Sequence, residues 1–217
     1  MRRFRLTPLR LAAAVVLGVV ASMSIAYAAS LGVGTKQLHA WNQTLTKAAC
    51  NQTYSTADDT FVQKSKPTTT SGAATTLSIA GGANPDYGFI RFDLSACNLP
   101  TTAGADSASL TLFVTSQQGH TISLYPVYTS WSGSTLTWNG VSSLTIGTTA
   151  TTSFTPTKNQ AYTVPVTADV DAAIKAGTLW GWELVDTTSG PAKTTQIASA
   201  ENATTANRPS LTLSYEK

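Results

Sequence analysis

TISLYPVYTSWSGSTLTWNG, residues 121–140, decides the fold. Ile122 and Leu124 alternate with Thr121, Ser123 and Tyr125, the two-residue period of a strand with one buried face. Pro126 removes a ladder donor, so the strand ends there or lies at a sheet edge. Trp131 and Trp138 flank the Ser132-Gly133 pair, and Asn139-Gly140 is a strong turn dipeptide. The pattern predicts a corner where the chain leaves one sheet and pins itself to the core, with Trp138 largely buried. Nothing in the stretch is catalytic.

The same alternation recurs outward from this point. Ser107 to Thr115 places Leu110, Leu112 and Val114 on one face, and Gln117-Gln118-Gly119 turns it into the opening strand. Tyr87 to Leu94 sets Ile90, Phe92 and Leu94 against Phe89, Arg91 and Asp93. Shorter strands are expected at 59–63, 76–80, 144–146, 162–166, 179–186, 193–199 and 210–215. Residues 168–176, with Val170 and Ile174 four apart and Gly177 as the stop, form the expected helix. Nine to eleven short strands separated by turns predict an all-β fold, a jelly-roll-like β-sandwich.

The chain begins differently. MRRFRLTPLR carries four arginines and no acid, an apolar run from Leu11 to Ala21 follows, and Ala26-Tyr27-Ala28 has the small residues a signal peptidase reads. These features predict a secretory leader over 1–28, of bacterial type, with no stable membrane insertion once it is removed. Residues 29–56 are expected to be an N-terminal extension and 57–217 the sandwich domain. The formal charge of +3 belongs to the leader, which holds four of the 14 basic residues and none of the 11 acidic ones. The remainder is close to neutral, which argues against nucleic acid as a partner. Low charge with abundant Thr and Ser fits a secreted or cell-surface β-module, expected to be a monomer. Cys50 and Cys97 both follow the leader, so in an oxidising compartment they form one disulfide. In the chain-entropy model such a bridge stabilises the fold by about 4 kcal/mol.

The order of segments resembles the DNRLRE-type (disaggregatase-related) module family, which includes carbohydrate-binding modules attached to polysaccharide lyases. The matching pieces are ADDTFV (57–62), IRFDLS (90–95), SASLTLFV (107–114), LYPVYTSWSGSTLTWN (124–139), VPVTADVDAAIKAG (164–177), LWGWEL (179–184) and the SAEN…RPSLTLSY region (199–215). Two positions depart from the family pattern: Gly133 stands where an acid is common between the two tryptophans, and Gly140-Val141 follow Trp138-Asn139 where a second Asn and a Pro are common. The resemblance implies a β-sandwich and glycan binding.

Sugar C–H faces pack on aromatic rings while polar groups bond the hydroxyls. The outward phase of the central strands offers Phe89, Arg91, Phe113, Tyr125 and Glu183 as ligand-binding residues, with Arg91 able to pair with a uronate of an acidic polysaccharide. Trp131, Trp138, Trp180 and Trp182 read as structural, Trp180 and Trp182 sharing the phase of Leu184. The available acids include Asp58, Asp59, Asp169, Asp171, Glu183 and Glu201, and nothing places two of them across one cleft as glycoside hydrolysis requires. No catalytic residue or cofactor is therefore expected. A structural Ca²⁺ held near Asp58, Asp59 and Glu201 is the one metal expectation, because first and last strands often pair in such sandwiches. The leading expectation is a secreted, non-catalytic carbohydrate-binding module. The alternative is a structural or adhesive surface protein without a sugar site.

Overall fold

The computed structural model describes residues 47–53, 55, 57–97, 99, 104–117, 120–176, 180–188 and 193–216. The expected leader and most of the extension lie outside them.

Eleven strands run in the order β1 (Lys47–Gln52), β2 (Ala57–Gln63), β3 (Thr76–Ala80), β4 (Asp86–Phe92), β5 (Ala105–Ser116), β6 (Ile122–Pro126), β7 (Thr152–Phe154), β8 (Gln160–Pro165), β9 (Trp182–Asp186), β10 (Thr194–Ala198) and β11 (Ser210–Glu216). Among the described residues two α-helices interrupt them, α1 (Trp138–Val141) and α2 (Thr167–Ala176). Every strand pair is antiparallel. One wall has the order β2-β4-β9-β6-β7. The other is built on β5, which pairs β8 along one edge and β11 then β10 along the other, with β1 beyond β11. The β10–β3 pair touches β4 at Ala80 and joins the walls into one ladder.

The expected sandwich is thus observed. Its core lies between the walls, where Ile90, Ile122, Leu124, Trp182 and Leu184 meet Leu110, Leu112, Val114, Leu211 and Leu213. These are the inward residues that the two-residue period selects. The extension departs from expectation. Residues 47–52 of it form β1, which runs in full register against β11, so the described sheet starts at Lys47 rather than 57. Cys50 on β1 is bonded to Cys97, as expected, and Gln52 Nε2 lies 3.0 Å from each sulfur.

The first wall is buried on both faces. A second apolar cluster packs on its outer side, where Val62 and Phe89 meet Val127, Trp131 and Leu136, with Trp138, Val141, Leu144 and Ile146 around them. The segment after β6 therefore folds back as a cover. Trp131 is the buried pin, 6% exposed; its indole N–H donates to the Trp180 carbonyl at 2.6 Å and its ring meets Phe89 edge-on at 5.7 Å. Trp138 corrects an expectation: it starts the short helix α1, is only half-buried, and packs on Tyr87 with ring centroids 5.0 Å apart. Thr137 caps that helix through its hydroxyl, which converts the anticipated strand-and-turn into one helical turn.

Gly133 has a steric reason to be glycine. A Cβ there would come within 2.4 Å of the Asp59 carbonyl oxygen and 2.5 Å of Asp58 Oδ1. Its amide donates to Asp58 Oδ1 at 3.0 Å, so the loop lies too close to β2 for any side chain.

Candidate functional site

The ladder register settles where the expected ligand residues lie. Phe89 is opposite Glu183, and Glu183 is opposite Tyr125, so these three form one row across β4, β9 and β6. Arg91 lies two residues along β4 on the same face. Phe113 is elsewhere, on β5 opposite Ala161 of β8, in the other wall. The five outward residues thus lie on two separate walls, whose outer faces point away from each other. Phe89 is fully buried beneath Trp131 and belongs to the cluster under the cover. Tyr125 is half-buried.

Glu183 is 7% exposed and has no hydrogen-bond partner among the described residues. Burial raises its carboxyl from 4.5 to about 7. The phenol of Tyr87 is raised too, by burial first and then by the nearby Glu183.

Arg91 sits at an open edge. Its Nε and Nη2 donate to Asp58 Oδ2 at 3.1 and 2.7 Å. Its guanidinium carbon lies 5.6 Å from the Trp131 ring centre and 5.5 Å from that of Trp180, so two rings and one carboxylate hold it. Nη1 has no hydrogen-bond partner among the described residues. Trp180 is placed by Gly181, whose φ of +92° suits glycine and whose Cβ would lie 2.1 Å from the Ile90 carbonyl oxygen. That break in strand geometry takes Trp180 off the phase of Trp182. Trp182 is core, as expected, whereas Trp180 is half-buried and packs against the outer cluster.

Beside Arg91 and Trp180 opens a groove of about 250 Å³. The last residue of β4, Phe92, and the two that follow it, Asp93 and Leu94, line it; Leu99 and the α2 residues Ala173 and Ile174 complete the lining. The carboxyl of Asp93 is lowered, chiefly by the Ser95 amide bonded to its Oδ1 at 2.9 Å. An apolar floor with one cation and one carboxylate at the rim can hold the flat face of a small polar ring and bond its substituents. Sequence phase identifies Arg91 but misses Trp180 as its neighbour, since Gly181's positive φ is not readable from alternation.

The three acids expected around a metal do not converge. Asp58 faces the outer side with both oxygens engaged, by Arg91 and by the Gly133 amide. Asp59 faces the opposite side, as adjacent strand residues must. It is 3% exposed, and its Oδ2 accepts from the Ala200 amide at 2.8 Å. Burial, with Glu201 close by, raises its carboxyl to about 8. Glu201 itself is exposed. Among the described residues no group of three or more His, Cys, Asp or Glu side chains converges as a metal site.

The described residues thus form a two-walled antiparallel β-sandwich with one groove lined in part by Arg91, Phe92 and Trp180. The chain belongs to carbohydrate-binding module family 96, whose model matches residues 51–215. That match starts within β1 and ends near the close of β11, so it spans nearly the whole of the described sandwich. No curated protein matches the chain.

Proposed function

We propose that the protein is a secreted, non-catalytic module that binds an acidic polysaccharide outside the cell, and that a sugar unit occupies the groove beside Arg91. The observation that carries this reading is Arg91, whose Nη1 has no partner among the described residues, a held cation beside an apolar groove floor with Asp93 as the carboxylate at its rim. The Asp58 carboxylate and the two indoles immobilise the guanidinium in advance, so little rotamer entropy remains to be lost on binding. Trp180 and Phe92 supply ring surface for a pyranose face, and the Arg91 edge suits a uronate carboxylate. Membership of the family supports carbohydrate as the ligand class, and the disulfide fits an extracellular setting. The proposed site keeps Arg91 from the residues expected by strand phase and replaces the buried Phe89 and the remote Phe113 with Trp180 and Phe92.

Affinity electrophoresis in gels containing alginate, pectin or a neutral glucan tests it. The parent protein is retarded by a uronate polymer, less so in high salt. Trp180→Ala and Arg91→Lys each lose that retardation by about tenfold in apparent affinity while retaining a cooperative melt. A parent that migrates alike in all gels, or variants retarded as strongly as the parent, refutes the site and favours an adhesive or structural role.

A further inference from the structure

We propose that Asp59 and Glu201 form a divalent-cation site at the rim of the sandwich, with Ca²⁺ as the ion. Asp59 lies on β2, the second strand, and Glu201 in the turn between β10 and β11. Asp59 is almost wholly buried, and one of its oxygens, Oδ2, is engaged by the Ala200 amide. The other, Oδ1, is buried and has no hydrogen-bond partner among the described residues. Glu201 directly follows Ala200, whose amide bonds Asp59, and the charged side chains acting on Asp59 are both acidic, Glu201 first and then Asp58. A buried, unpartnered carboxylate oxygen beside a second acidic residue is costly unless it holds a proton or a cation.

The turn that presents Glu201 is fixed. Ser199 Oγ accepts from the Glu201 amide at 3.1 Å and donates to the Ala74 carbonyl at 2.6 Å. Asn202 Nδ2 donates to the Thr75 carbonyl at 3.0 Å. The donor set is therefore one buried oxygen on a strand and one exposed carboxylate on a braced turn. All-oxygen donors with an open side for water suit Ca²⁺, which accepts irregular geometry, better than Mg²⁺, which demands a near-ideal octahedron. With two carboxylates and several waters, affinity falls in the millimolar class of extracellular calcium modules. Asp58 takes no part, since both its oxygens are committed on the other face.

The test is thermal melting at neutral pH in EDTA, in about 10 mM CaCl₂ and in about 10 mM MgCl₂, a concentration chosen to exceed a millimolar dissociation constant. Terbium luminescence sensitised by Trp182 gives a second readout. That indole lies two strands from Asp59 on the same face, about 10 Å away by strand spacing. The parent gains several degrees in Ca²⁺, little in Mg²⁺, and shows terbium emission that Ca²⁺ displaces. Asp59→Asn removes the charge at nearly constant shape, and Glu201→Gln alters an exposed side chain. Both variants fold in EDTA and both lose the Ca²⁺ gain and the emission. If Ca²⁺ leaves the parent unchanged and no emission forms, the two acids share a proton instead, and the cation site is refuted. Equal Ca²⁺ gains in parent and variants would also refute it. None of these outcomes bears on sugar binding at Arg91.

Discussion

Glu183→Gln tests the burial of the first wall most directly. Glu183 is wedged between Phe89 and Tyr125 under the cover, without a hydrogen-bond partner among the described residues. Its carboxyl rises from 4.5 to about 7 through desolvation alone. Each tenfold change in an acid's ionisation constant corresponds to about 1.36 kcal/mol, so ionising Glu183 in the folded protein costs on the order of 3 kcal/mol more than in the unfolded chain. The folded pKa exceeds the unfolded one. The contribution is therefore fully present below about pH 4.5, declines as pH rises through about 7, and has gone above that. Glutamine cannot ionise, so its stability lacks this slope. Urea unfolding of both proteins between about pH 5 and about pH 8 should move the stability difference by about 2 to 3 kcal/mol in favour of Glu183→Gln. Taking the difference cancels every other titrating group common to the two. A constant amide penalty for the buried glutamine offsets the curve without tilting it. Parallel pH profiles would show that Glu183 is hydrated, and that the cover does not seal the row it sits in.

Two further outcomes follow from packing. Trp131→Ala should cost about 3 to 5 kcal/mol, because it empties the outer cluster and leaves the Trp180 carbonyl without its donor, whereas Trp138→Ala should cost about half as much; equal melts for the two variants would refute the assignment of Trp131 as the pin. Gly133→Ala should lower stability by more than about 2 kcal/mol, since its methyl collides with the Asp59 backbone carbonyl as well as with Asp58 Oδ1, and a melt equal to the parent would show that the loop stands off β2.

Much of the sandwich is legible in the sequence because alternation reports burial directly. The strand at 76–80 coincides with the expectation, the helix begins one residue early, and Ile90, Leu110, Leu112, Val114, Ile122 and Leu124 all enter the core. Two strands leave no such trace. β1 has too few apolar residues to reveal itself and is held by its ladder with β11 and by the disulfide. β7 is three residues long, below the length at which a two-residue period can be recognised. The site is harder to read, for a physical reason. Strand phase gives the side of a sheet but not what covers it, so Phe89 and Glu183 look open in the sequence although residues 127–146 fold over them. Phase is also blind to which wall a strand joins, and it groups Phe113 with residues from which the whole core separates it. The groove depends on Gly181 in a left-handed conformation and on a helix packed nearby, neither of which an alternating pattern encodes.

The joined ladder has a consequence for solubility. A chain rich in Thr and Ser, with charged side chains making up only 12% of its residues, has few of the exposed lysines that commonly keep strand edges from pairing with a neighbouring molecule. Here the margins are blunted by other means. β7 ends one wall after three residues, too short a template for a stable partner. β8 ends on Pro165, which has no amide hydrogen to offer. The free side of β2 is occupied by the Gly133 loop, close enough that even a methyl group would not fit between them. The absence of a side chain at Gly133 thus helps keep neighbouring molecules apart.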